Sequence, residues 1–323
     1  MSPARSPVRV VLAEPLHYAP DARSTLSAIG TLVEGPFDRA GLLDAVADAD
    51  LLVVRLGHQI DAEVLAAAPH LRLIGSPTTG TDHIDLEAAA ARGIRVVTLR
   101  GETELLSRIR ATPEHTWALL LALVRKLPAA VAASVDGPWD RDAFRGTELA
   151  GKRLGIFGFG RVGRIVATYG AAFQMSVAAY DTMPVPAPDV AMVGSLPELL
   201  ERSDALLVHV PLDATTERAI GAGELALLPR GAVLVNTARG AVVDEQAIVD
   251  ALRSGHLAGA AVDVLDGERA DGGLAASPLL RYASEHPTRA IVTPHIAGAT
   301  WESMHRTEVF LAERLRELVS GGA

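Results

Sequence analysis

Short apolar, β-branched runs alternate with longer Ala/Leu-rich stretches of helical period along almost the whole chain. Residues 8–13, 51–54, 71–75 and 94–97 form a first series of candidate strands. A second series follows after residue 150, at 154–157, 176–180, 205–210, 232–236, 258–262 and 290–293. Apolar residues fill both alternating positions of these runs, which is the pattern of parallel strands covered by helices on both faces. Helical segments at 85–92, 162–173, 196–202 and 244–254 separate them, the first ending at Gly93 as helices commonly do. Residues 114–125 and 300–319 read as long helices that flank the second series and connect two lobes. Residues 136–139 form a turn-rich arm, and 271–277 a Gly/Ala/Ser loop that breaks the pattern. The pattern therefore predicts a two-lobed α/β protein.

Composition narrows this picture. The 323 residues are 49% hydrophobic but only 4% aromatic, so the cores must be aliphatic. With 30 Lys and Arg against 39 Asp and Glu, the net charge of -9 offers no broad basic surface, and nucleic acid is not an expected partner. Mean hydropathy is +0.24, yet the longest clean apolar run, Trp117 to Val124, falls far short of the roughly twenty residues a membrane span needs. The apolar stretch at 10–13 stops at Glu14-Pro15, too soon for a signal peptide. Zero Cys excludes disulfides and thiolate chemistry and fits a cytoplasmic protein. No metal-ligand spacing is present, so no metal is expected.

The candidate chemistry lies in the second series. The strand at 154–157 runs into Gly158-Phe-Gly160-Arg-Val-Gly163 and then at once into a helix. Gly158 permits the tight turn, Gly160 lets backbone approach a pyrophosphate, and Gly163 packs helix on strand. The helix N-terminus adds unpaired N–H groups and a positive dipole end. Asp181, at the end of the next strand, would accept both adenosine ribose hydroxyls and repel a 2′-phosphate, so NAD is the expected cofactor. Arg161 is placed either on the pyrophosphate or in solvent. Strand ends at Val210-Pro211 and at Thr237-Ala238-Arg239 put irregular backbone on the carboxyl edge of a parallel sheet, where open α/β folds bind ligands. Arg239, Asp263 with Glu268, and His295 each follow a strand of this series. Reduction of a 2-keto acid needs a guanidinium to hold a carboxylate in two places and polarise the ketone. It also needs an imidazole that exchanges a proton near neutral pH, with a carboxylate beside it to stabilise the charged ring.

These segments resemble the D-isomer-specific 2-hydroxyacid dehydrogenases over nearly the whole chain. The likeness is carried by TGTDHID at 79–85, PEHTWALLLALVR at 113–125, the glycine fingerprint with Asp181, HVPL at 209–212, NTARGAVVDEQAIVDAL at 236–252, GAAVDV at 259–264 and TPHIAGAT at 293–300. It implies two Rossmann-like lobes with the active site in the cleft between them. Residues 1–108 and 296–323 would form the catalytic domain and 109–295 the NAD-binding domain. Arg239 would anchor and polarise substrate, His295 would donate or accept the proton, Glu268 would pair with His295, and Asp263 would line the nicotinamide pocket. Thr112, Val162 and Gly298 join the expected cofactor contacts, and a homodimer through the NAD-binding lobes is expected. In the loop holding Thr79 and Gly80, backbone N–H groups are expected to receive the substrate carboxylate. Arg55, at a strand end in the first series, reads either as a contact to the substrate's far end or as a surface residue.

The chain departs from the family pattern in two places. Arg269 stands where a Pro commonly follows the Glu, and residues 99–111 make a longer crossing that carries Arg100, Arg108 and Arg110. That crossing reads either as a wall receiving a second anionic group or as an extra solvated helical turn with i,i+4 charge pairing. Trp301 reads as a pocket cap or as packing. Few large apolar residues lie in the presumed pocket segments, so a small polar substrate is expected, such as hydroxypyruvate, glyoxylate or a 3-phosphoglycerate-like acid. Two alternatives remain open: a phosphite-type dehydrogenase on the same frame, and an NAD-sensing transcriptional co-repressor.

Overall fold

The computed structural model describes residues 7–137, 139–183, 186–268 and 273–321. The expected Arg269, Asp271 and Gly272 and the Pro138 of the arm lie outside these residues. The chain divides into two compact units: one takes the described residues up to Ile109 and again from Ala299, and the other runs from Arg110 to Gly298.

The first unit holds five parallel strands: β1 (Arg9–Leu12), β2 (Thr31–Glu34), β3 (Leu51–Val53), β4 (Leu73–Gly75) and β5 (Arg95–Val97), in the order β2-β1-β3-β4-β5. Because successive side chains point to opposite faces, Val10, Leu12, Leu51 and Val53 pack with Leu26, Leu311 and Leu315. Val11 and Leu52 go to the other face with Leu42, Val46, Val64 and Leu65. The Trp301–Gly321 helix is thus part of this unit's core, and a Cβ on Gly75 would meet Leu315 at 2.7 Å. Asp38, Asp61 and Asp85 cap helices by accepting from the amides of Gly41, Val64 and Ala88. Asp85, expected as the first helical residue, stands outside the helix as its cap.

The second unit holds seven parallel strands: β6 (Arg153–Phe157), β7 (Ser176–Tyr180), β8 (Ala191–Met192), β9 (Ala205–Val208), β10 (Ala232–Asn236), β11 (Leu257–Val262) and β12 (Ala290–Val292). Their order is β12-β11-β10-β9-β6-β7-β8, which reverses direction between β6 and β9. The crevice outside the carboxyl ends of strands at such a reversal is where open α/β sheets take ligands. One face is buried by Leu199, Leu225, Ile248, Leu252 and Leu279. The other is buried by Leu120 and Leu123 of the Ala111–Val124 helix and by Val166 of the Arg161–Ala172 helix.

The two sheets and their covering helices match the predicted α/β architecture. The pattern does not reveal β2 or β8, which lie at sheet edges with exposed or half-exposed side chains, so no buried apolar run marks them. Between residues 99 and 111 the chain forms a five-residue helix, Thr103–Ser107, in which Arg108 pairs with Glu104 at 2.8 Å. The 271–277 segment contains a four-residue helix, Gly273–Ala276.

Candidate active site

The carboxyl edge of the second unit's sheet carries the predicted chemistry in strand order. After β6 the chain turns through Gly158 at φ +97°, where a Cβ would strike the His209 carbonyl carbon at 2.6 Å. A Cβ on Gly163 would strike the Gly158 oxygen at 2.2 Å. Nothing lies within 4 Å of a Cβ built on Gly160, so its backbone faces open space at the start of the Arg161–Ala172 helix. Val162 follows in the helix's first turn. Asp181, just past β7, accepts from the Phe159 amide at 2.7 Å and the Met183 amide at 2.9 Å, which fixes its carboxylate beside this turn. An open glycine cradle, a helix N-terminus and a fixed carboxylate suit a dinucleotide: the cradle accepts pyrophosphate and the carboxylate accepts ribose hydroxyls.

Two cations and one neutral ring shape the charge here. Burial, and then the charge of Arg110, hold the Arg161 guanidinium below its usual range. Burial, and then the Arg161 charge, push His209 down to about 3, so its imidazole is neutral at physiological pH. Its Nε2 is buried without a hydrogen-bond partner. Val210 is buried and Pro211 exposed at the end of this segment.

Next along the edge, β10 ends at Asn236, whose side chain folds the loop after it. Its Nδ2 donates to the Arg239 carbonyl at 2.8 Å and its Oδ1 accepts from the Ala238 amide at 3.0 Å. Arg239 is half-buried in extended backbone and donates to the Ala238 carbonyl at 2.7 Å. A Cβ on Gly240 would lie 2.0 Å from the Leu265 carbonyl carbon, so only glycine lets this loop pass. The Thr237 hydroxyl lies 2.7 Å from that of Thr116, which donates to the Thr112 carbonyl at 2.8 Å. Thr112 itself is half-buried in the first turn of the Ala111–Val124 helix.

The end of β11 does the same for β12. Asp263 is 1% exposed, and its carboxylate accepts from Thr293 Oγ1 at 2.5 Å, the Ile296 amide at 2.9 Å and the Ala297 amide at 2.7 Å. Its backbone oxygen accepts from the His295 amide at 2.9 Å. Burial alone would raise the Asp263 carboxyl, but hydrogen bonds from His115, Thr293, Ile296 and Ala297 outweigh it and hold it below the usual range. Asp263 thus organises the His295 loop, beside its expected place lining the nicotinamide pocket. His295 sits at φ +55°, a left-handed conformation costing a non-glycine residue roughly 1–2 kcal/mol. Its Nδ1 is hydrogen-bonded to Glu268 Oε1, and Glu268 Oε2 accepts from the Leu265 amide at 3.1 Å. Because a carboxylate only accepts, Nδ1 carries the hydrogen and Nε2 is the nitrogen left to exchange a proton with a ligand. Around Gly298 a Cβ would meet nothing within 4 Å. Among the described residues no group of three or more metal-ligating side chains converges.

The first unit carries the other predicted contacts. In the loop after β4, Thr78 Oγ1 donates to the Gly80 carbonyl at 2.8 Å and lies 2.9 Å from Ser76 Oγ, which lies 3.1 Å from the fully buried His83 Nε2. His83 braces this loop from beneath, and Thr79 is exposed. Arg55, expected either to reach a substrate or to be a surface residue, donates to the carbonyls of Glu14 at 2.8 Å and Leu16 at 2.7 Å and to Glu308 at 3.3 Å. It lies over the Tyr18 ring, 5.7 Å from its centre. Its guanidinium therefore braces the loop after β1. Arg55 also lines a cavity of about 900 Å³ with Leu16, His17, Trp301 and Met304. Trp301 is 77% exposed and meets His17 edge to face at 5.9 Å. Sequence reasoning passed over Asn236, Thr116, Thr293 and the buried side of His115; the available signal was a polar residue closing an otherwise apolar strand.

Residues 117–297 match the family model described as D-isomer specific 2-hydroxyacid dehydrogenase, NAD binding domain. The chain is 41% identical over 309 residues to the D-3-phosphoglycerate dehydrogenase of Mycobacterium tuberculosis (strain ATCC 25618 / H37Rv), covering 93% of this chain and 56% of that protein. It thus spans about half the length of the curated relatives it matches. Among solved structures it is similar to the TT0316 protein of Thermus thermophilus, with 37% identity and a TM-score of 0.84 over 97% of each chain. It is also similar to the D-lactate dehydrogenase of Aquifex aeolicus complexed with NAD and lactic acid. There the identity is 29% and the TM-score 0.83, over 97% of this chain and 96% of that one.

Proposed function

Since the chain belongs to the D-isomer specific 2-hydroxyacid dehydrogenases, we propose that it is an NAD-dependent oxidoreductase interconverting a small polar D-2-hydroxy acid and its 2-keto acid. The observation that carries this is the sheet edge on which the glycine turn with Asp181, the Arg239 loop and the Glu268–His295 pair follow one another. The Gly158–Gly163 turn and Arg161 would hold the pyrophosphate, and Asp181 the ribose. Val162, Val210, Pro211, Thr237, Ala238, Asp263, Thr112 and Gly298 are proposed as the remaining contacts. When bound, the nicotinamide supplies or accepts the hydride.

The chain's own residues do the rest. Arg239 binds the substrate carboxylate and draws charge onto the ketone oxygen, with the backbone of Thr79 and Gly80 assisting. Glu268 keeps Nδ1 protonated, so the imidazolium of His295 gives its Nε2 proton to the ketone oxygen as reduction proceeds, and the bare Nε2 of the neutral ring takes the proton back in oxidation. Hydroxypyruvate, glyoxylate and 3-phosphoglycerate-like acids are the substrates to try, the last because several relatives are named D-3-phosphoglycerate dehydrogenase.

Absorbance at 340 nm with NADH or NADPH and a panel of 2-keto acids, with phosphite and NAD as a further arm, tests this. Turnover of at least one keto acid with NADH is expected, and silence across the panel overturns the reading. Arg239→Ala is expected to cost kcat/KM on the order of 100-fold or more, as loss of a charge-assisted bidentate contact does. His295→Asn should lower kcat by roughly 10²–10⁴-fold, the usual contribution of general acid–base catalysis.

A second copy of the chain is the proposed partner. On the Leu127–Asp136 helix, Leu127, Val131 and Val135 recur at i, i+4 and i+8 and are 47%, 63% and 75% exposed, and Trp139 beyond it is 91% exposed. Such a stripe is what a homodimer through this unit would cover.

A further inference from the structure

The second turn of the Ala111–Val124 helix places two consecutive side chains against two different loops. Thr116 Oγ1 lies 2.7 Å from Thr237 Oγ1, in the loop that carries Arg239. His115 Nε2 lies 3.0 Å from Thr293 Oγ1 and 3.3 Å from Asp263 Oδ1, in the network that carries His295. Thr293 gives its one hydroxyl proton to Asp263, so toward His115 it can only accept. Nε2 of His115 therefore bears a hydrogen and closes a ring of donors around a carboxylate that has no access to water.

We propose that His115 and Thr116 are positioning residues of the reaction assigned above, setting the carboxylate anchor and the proton donor in register. The inference rests on that assignment. Physically, the left-handed backbone of His295 sits in a loop that Asp263 grips at Thr293, Ile296 and Ala297 at once, the kind of over-determination a strained residue needs. His115 is the one member of the grip that comes from a helix rather than from the loop or the strand ends beneath it. A rigid helix turn that holds both loops transmits no slack between them, whereas each loop held by its own strand end could shift alone. Neither residue needs to touch substrate or cofactor to act in this way.

The test compares replacements that remove the polar contact with ones that keep it: His115→Phe with His115→Gln, which still donates to Asp263, and Thr116→Val with Thr116→Ser, which still accepts from Thr237. The readouts are kcat, the Kd for NADH by fluorescence, and the downfield proton signal of the His295 Nδ1–H bonded to Glu268 in ¹⁵N-histidine-labelled protein. His115→Phe is expected to shift or abolish the signal and to lower kcat about tenfold or more, while the NADH Kd stays within about twofold. His115→Gln should restore both. An unchanged signal and kcat in His115→Phe, or no rescue by Gln, overturns the proposal. The Thr116 pair carries the test if the Phe variant does not fold. If wild-type protein turns over no keto acid, the proton signal alone decides the positioning, so failure of the assigned function and failure of this inference are distinguishable.

Discussion

Asp181 spends two of its acceptor sites on the Phe159 and Met183 amides and has others left for ribose hydroxyls. Its negative charge is therefore both fixed in place and available, and it would repel a 2′-phosphate. Replacement by Asn keeps the shape and removes the charge. Asp181→Asn should narrow the preference for NADH over NADPH by about tenfold or more, read as the ratio of the two kcat/KM values. His209 gives a stability prediction of definite sign. Its folded value near 3 lies below the ordinary 6.5. Between these values the unfolded chain binds a proton that the folded chain refuses, so stability is full above pH 6.5 and falls as pH drops, by up to about 1.4 kcal/mol per unit. His209→Leu should flatten the dependence of the urea midpoint between pH 4.5 and 6.5.

Among elements, the turn after β6 has a backbone that admits a single residue type. Gly158 combines φ +97° with a 2.6 Å approach to His209, so Gly158→Ala must displace backbone rather than a side chain. Roughly 1–3 kcal/mol of strain is expected, visible as a lower Tm together with loss of NADH binding. The Leu127–Asp136 helix supports a different prediction. If the proposed homodimer forms through it, Val131→Asp with Val135→Asp should leave a monomer by light scattering while the circular dichroism is unchanged. Most strands and the covering helices were legible because buried parallel strands are written as unbroken apolar runs. The helix inside 99–111 was legible only as one of two options, since charged residues at i and i+4 describe equally a solvated turn and an anion-binding wall. In the structure Arg108 pairs with Glu104 and both are mostly exposed, which is the geometry of the solvated turn.

At the scale of the whole molecule, each unit has its own sheet and its own cores. The second is continuous in sequence, whereas the first is completed by a helix from the other end of the chain. The segment 110–298 should therefore fold alone and bind NADH, detectable by circular dichroism and fluorescence titration. Truncation after Gly298 should remove the cooperative unfolding of the first unit, because Leu311, Ala312 and Leu315 would leave its core. By itself the sequence determined the α/β class, the glycine turn with Asp181, and the identity of the ionisable residues, since each is written locally as a run, a spacing or a residue after a strand. Only the tertiary structure decided that Asp263 grips the His295 loop, that Arg55 braces its own unit, and that His115 and Thr116 join two loops. Those roles depend on which distant backbone groups arrive within about 3 Å of a side chain, and strand order and helix placement set that distance, not residue spacing along the chain.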